Sequence, residues 1–209
     1  MGRGRRFLLI FEARGRSPLD RAPLLEGARE AVAPLQAFVG DLRVGERHLE
    51  LDLFCPMLSL NEALKKLSSL LGGPPLSVRS LDVAQELPKE RALGEVFYLF
   101  NSGRYWESHE ALEALWKEAQ GDEKRALQFL ILVSAAFVHR QKGREQVALG
   151  ILRRALARSE ELPALGNLDL RGLAAQLQRL LERGALERPV LRELTPPQLA
   201  PLAEALARL

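Results

Sequence analysis

Cysteine is nearly absent from this 209-residue chain: Cys55 stands alone, so no internal disulfide forms and no Cys-x-x-Cys pair exists for a zinc ribbon. Aromatic residues make up only 6% of the chain and methionine occurs twice. A dominant charge is missing too. The 30 lysines and arginines against 27 acids leave a formal net charge of +3, scattered through both halves, unlike the basic stripe of a dedicated nucleic-acid binder. Long apolar runs are also lacking. Phe7–Phe11 follows a basic start, but Glu12 and Arg14 cut it short of a signal-peptide core. Ala126–Val138 is interrupted by Gln128 and Ser134 and falls short of the ~20 residues that cross a bilayer. A cytoplasmic protein with no membrane association is the expectation. Abundant arginine with scarce Asn, Met and Cys fits either a GC-rich genome or a heat-loving source, a thermophile. What is present, 47% hydrophobic residues beside 27% charged, supplies packed cores and excludes disorder.

The pattern along the chain divides it near Gln85–Leu87 into two unlike parts, residues 1–85 and 86–209. In the first, Phe7–Phe11 reads as a central strand covered on both faces. Leu24, Leu25, Ala28 and Val32 follow at helical spacing until Pro34. Leu42 and Val44 open a strand, and Gly45-Glu46-Arg47 makes a turn. Leu49, Leu51, Leu53 and Cys55 then alternate with Glu50, Asp52 and Phe54, the signature of a half-buried strand. Ser59 with Glu62 reads as a capping box for a helix that Gly72-Gly73-Pro74-Pro75 ends, and Leu76–Val83 supplies a last strand. The order β-α-β-β-α-β predicts a ferredoxin-like α+β domain. RNA readout by its sheet is disfavoured, because the third strand, His48-Leu-Glu-Leu-Asp-Leu-Phe, carries acids where phosphates need cations.

From Leu87 onward the strand signals vanish and helices predict an all-α bundle of hairpins. Helices are expected up to Phe100, over Tyr105–Ala119, from Asp122 to Lys142, over Arg144–Glu160, near Leu170–Arg183, and from the Thr195-Pro196-Pro197-Gln198 capping box to Leu209. Gly103-Arg104 and Gly143-Arg144 each open a helix after a helix, a faint repeat at ~40 residues.

Helix 105–119 carries the one informative constellation. At ~100° per residue Tyr105, Ser108, His109, Leu112, Leu115 and Trp116 share a face, with Glu113 at its edge and Glu110 and Trp106 flanking it. The next helix is apolar nearly all round, and its Gln128 and His139 fall on one stripe. Two readings stay open. In the first, His109, Glu113, Gln128 and His139 pair as a buried network that fixes helix packing, because an unpaired buried polar group costs about 1–3 kcal/mol. In the second, His109 and His139 act as metal ligands or acid–base groups and Glu110 or Glu113 supplies the carboxylate. His109-Glu110-Ala111-Leu112-Glu113 has Glu where the zinc-protease pattern needs a second His, and neither histidine has Glu three residues earlier as di-iron sites require.

The run Phe100-Asn101-Ser102-Gly103-Arg104-Tyr105-Trp106-Glu107-Ser108-His109-Glu110-Ala111-Leu112-Glu113-Ala114-Leu115-Trp116 resembles the signature of the domain of unknown function 309 family, approximately His-Glu-x-Leu-Glu-x-x-Trp after a Gly-x-Tyr/Phe turn. Gln128, His139, Gly143 and Ala148 match a second block, while Phe129 departs from the small residue expected beside Gln128. The resemblance covers roughly residues 93–183. It implies a compact all-helical domain with no established activity and marks the constellation as the family's hallmark. The functional expectation is a non-catalytic binding or assembly module, as a homo-oligomer or with a protein partner. The alternatives are an enzyme dependent on a divalent metal or small molecule and, less favoured, RNA binding.

Overall fold

The computed structural model describes residues 5–82, 88–157, 159–184 and 187–193. The protein is mixed α+β and divides into two compact units. One gathers the chain up to Glu86 together with Val138–Glu145; the other holds Leu87–Phe137 and the chain from Gln146 onward. The return of Val138–Glu145 to the first unit was not anticipated from the sequence. Among the described residues no helix is long and apolar enough to cross a membrane.

The first unit runs β1 (Arg5–Glu12), α1 (Arg21–Val32), β2 (Phe38–Val44), β3 (His48–Cys55), α2 (Leu60–Leu71) and β4 (Ser77–Ser80). The strands form one antiparallel sheet in the order β2-β3-β1-β4. Alternation puts Phe7, Leu9 and Phe11 of β1 and Leu49, Leu51 and Leu53 of β3 on one face. They pack with Leu25, Ala28 and Val32 of α1 and Ala63, Leu67 and Leu71 of α2. Each leucine, valine and phenylalanine among them contributes about 1.5–3 kcal/mol by leaving water. Leu8 and Ile10 on the opposite face are buried as well, which accounts for the unbroken apolar run of β1.

Three expectations change. Glu50 and Asp52 of β3 do not face solvent: they are 1% and 5% exposed. Cross-strand arginines make this burial tolerable. Arg43 Nε donates to Glu50 at 2.8 Å, and Arg6 grips Asp52 through two bonds of 2.9 and 2.7 Å. Ser59 does not cap α2. Met57–Ser59 form a 3-10 turn ahead of it, so Ser59 is already helical and its side chain bonds no backbone N–H at the cap. A capping box sits instead at Ser17 and Asp20, ahead of α1. Finally β2 reaches back to Phe38, and its register shifts between Val39 and Asp41. The far end of the last strand at Val83, the division at 85–87 and the helix after Thr195 lie outside the described residues.

The helical unit is built on α3 (Lys89–Asn101), α4 (Tyr105–Glu118), α5 (Gly121–Gln141, whose last turn belongs to the first unit), α6 (Glu145–Leu156) and α7 (Leu170–Arg183). α6 ends earlier than the expected Glu160, and a separate 3-10 turn follows at Ser159–Glu161. The Gly-Arg repeat has a structural cause. Gly103 and Gly143 both take a left-handed backbone, φ 75° and 70°. In each case the following arginine N–H bonds back five residues, Arg104 to Leu99 and Arg144 to His139, closing the preceding helix in the same way. Asn101 then clamps the later chain, bonding both the N–H and C=O of Leu191.

Candidate ligand site in the helical unit

α4 sets the site. Its buried stripe runs through Tyr105, Glu107, Ser108 and Leu112, so the apolar face is turned relative to the one expected and His109 stands at its margin. The burial of Glu107 explains the turn. Arg104 forks onto its carboxylate at 2.6 and 2.7 Å, an i,i+3 pair whose spacing was readable in the sequence but whose burial was not. Tyr105 packs against Phe100 at 5.3 Å and Phe137 at 4.9 Å, ring centre to ring centre. Ser108 and Ser134, both fully buried, meet across α4 and α5 at 3.5 Å.

His109 Nδ1 lies 3.3 Å from the Ile131 carbonyl, and its Nε2 lies 3.4 Å from Glu113 Oε1. A carbonyl only accepts, so Nδ1 carries the hydrogen in that contact, and Nε2 donates to the Glu113 carboxylate only when it carries a hydrogen as well. One ligand atom each of His109, Glu110 and Glu113 falls within 4.8 Å of the others. These are the only such group among the described residues that gathers three His, Cys, Asp or Glu side chains. His139 is not part of it; it belongs to the first compact unit. There burial, then the charges of Lys142 and Arg144, push its imidazole below the ordinary histidine range, with Asp41 partly opposing them. Its Nδ1 is buried without a hydrogen-bond partner. Close by in that unit, Lys142 Nζ meets Asp41 at 2.6 Å, and Gly143 fits against the Pro18 carbonyl. Cys55, fully buried, donates to the Pro56 carbonyl, and burial pushes its thiol up.

Two residues of the sequence constellation, Trp116 and Gln128, line a cavity of about 380 Å³ within the helical unit. Phe129, Leu132 and Leu162 supply apolar wall, and Ala155 of α6 closes one side. Trp116 Nε1 is buried without a hydrogen-bond partner. The charges of the cavity were not legible in the sequence. Lys124 holds its ammonium 4.1 Å from the Trp116 ring centre, and Arg125, Arg154 and Glu161 complete the charged lining. Lys124 and Trp116 come from different helices, so no local spacing announces their pairing. Phe129, the departure from the expected small residue, is one of the walls, so the deviation shapes the cavity directly.

A family profile described as "Domain of unknown function (DUF309)" matches residues 93–151. No protein of curated function gives a significant match. A crystal structure of a conserved hypothetical protein from Thermus thermophilus is 43% identical, covering 46% of this chain and 99% of its own, with a TM-score of 0.38. The profile contains His109, Glu113, Trp116, Gln128, His139 and Gly143, the residues from which the resemblance was drawn, and through this region the chain belongs to the family of the domain of unknown function DUF309.

Proposed function

We propose that this protein is a non-catalytic binding module whose helical unit receives a small molecule in the cavity beside Trp116. The observation that carries the reading is the cavity itself. At about 380 Å³ it lies within the size of small-molecule sites, and mostly apolar walls with a few polar groups are what such sites present. Among the described residues no histidine, serine or cysteine lines it, so no nucleophile paired with a histidine base stands there. The first unit is read as a ferredoxin-like scaffold, supported by its β-α-β-β-α-β order and the β2-β3-β1-β4 sheet.

The test is a titration with 1-anilinonaphthalene-8-sulfonate. The dye should brighten saturably at one equivalent, and Leu132→Trp, which fills the cavity, should abolish this while circular dichroism shows the helices intact. A folded Leu132→Trp protein that binds the dye as well as the parent would remove the reading.

A second reading has its own support: His109, Glu110 and Glu113 form a divalent-cation site on α4. The Ile131 carbonyl orients the imidazole so that Nε2 faces the carboxylate, an outer-shell contact of the kind that prepares a metal ligand.

A further inference from the structure

The cavity beside Trp116 has a charge pattern that names a ligand class. Resting on the binding reading above, we propose that it takes an organic anion: an apolar body ending in a carboxylate. Of its lining cations, Arg125 is already engaged, its guanidinium 2.6 Å from Asp122. Arg154 makes no ion pair or hydrogen bond among the described residues, and Lys124 has the Trp116 ring as its partner rather than an acid. Glu161 is the single acid on the lining among the described residues. Two cations without carboxylate partners therefore stand against one carboxylate, beside walls of low polarity that strengthen their field.

The geometry assigns separate work to the groups. Phe129, Leu132 and Leu162 hold the apolar body. The Lys124 ammonium is positioned over an indole, which fixes it without neutralising it. Arg154 offers a planar fork matched to a carboxylate. Trp116 Nε1, a buried donor that has no partner, gains one if a carboxylate oxygen reaches it.

Isothermal titration of the full chain with octanoate and with octan-1-ol, the same body without the charge, tests this. Octanoate should bind about 10- to 100-fold more tightly, the worth of a charged hydrogen bond. The preference should fall below about threefold in the double variant Lys124→Gln/Arg154→Gln, provided its circular dichroism matches the parent. Equal binding of both probes overturns the anion assignment and leaves the cavity reading standing. Binding of neither probe overturns the assignment together with that reading. An octanoate preference that survives in the double variant places the selectivity elsewhere and overturns the proposal.

Discussion

Glu50→Gln isolates the buried charge on the sheet. Glu50 and Arg43 are each 1% exposed and bonded at 2.8 Å, while Arg43 reaches Asp41 at only 3.4 Å. The substitution keeps shape and removes the charge that best compensates a guanidinium almost sealed from water. Breaking such a pair from one side costs about 3–5 kcal/mol, against about 0–1 kcal/mol for an exposed pair. With a urea slope of about 2 kcal/mol per molar, the midpoint should drop by roughly 2 M. The probe has to be chosen with care. Both tryptophans and both tyrosines lie in the helical unit, so fluorescence is blind to the sheet and far-UV circular dichroism must follow it. Replacing both partners, Arg43→Met with Glu50→Leu, should recover most of the loss, because no charge of the pair stays buried unpaired. A midpoint for Glu50→Gln within about 0.5 M of the parent, the size of an exposed pair's contribution, would refute the reasoning. So would a double variant as unstable as the sum of its single changes.

Two further predictions concern the histidines. The imidazole of His139 is depressed below its ordinary value of 6.5, so folding favours its neutral form. Its contribution is complete above 6.5 and is lost as pH falls from there toward the lowered folded value, because the unfolded chain takes up the proton first. Melting temperature should therefore decline from pH 7 to 5 with a slope that flattens in His139→Gln; equal slopes in the two proteins would contradict the assignment. At His109, zinc titration with elemental analysis tests the second reading. Uptake of one equivalent that disappears in His109→Ala supports it, and uptake unchanged in that variant removes it.

Local pattern carried much of this protein. The unbroken apolar run of β1, the 3.6-residue periodicity of α4 and the glycines at 103 and 143 each express their structural reason within a few residues, so they are visible in a linear reading. The charged residues behave differently. Glu50 and Asp52 alternate with leucines as solvent-facing residues would, and only the arrival of Arg43 and Arg6 from neighbouring strands makes their burial affordable. At the candidate site, Trp116 and Gln128 were singled out in the sequence, but as members of a packing network rather than as cavity walls.

Amino-acid order by itself determined the alternation of strands and helices in the first unit, the run of helices from α3 to α7 among the described residues and the motif that the family profile matches. Tertiary structure alone decided which charges are buried, that Val138–Glu145 returns to the first unit, and that Lys124 and Arg154 face a common cavity with Trp116. The physical reason is range. Backbone periodicity and helix termini are settled by neighbours in the chain, whereas the cost of burying a charge depends on a partner that only the folded chain brings near.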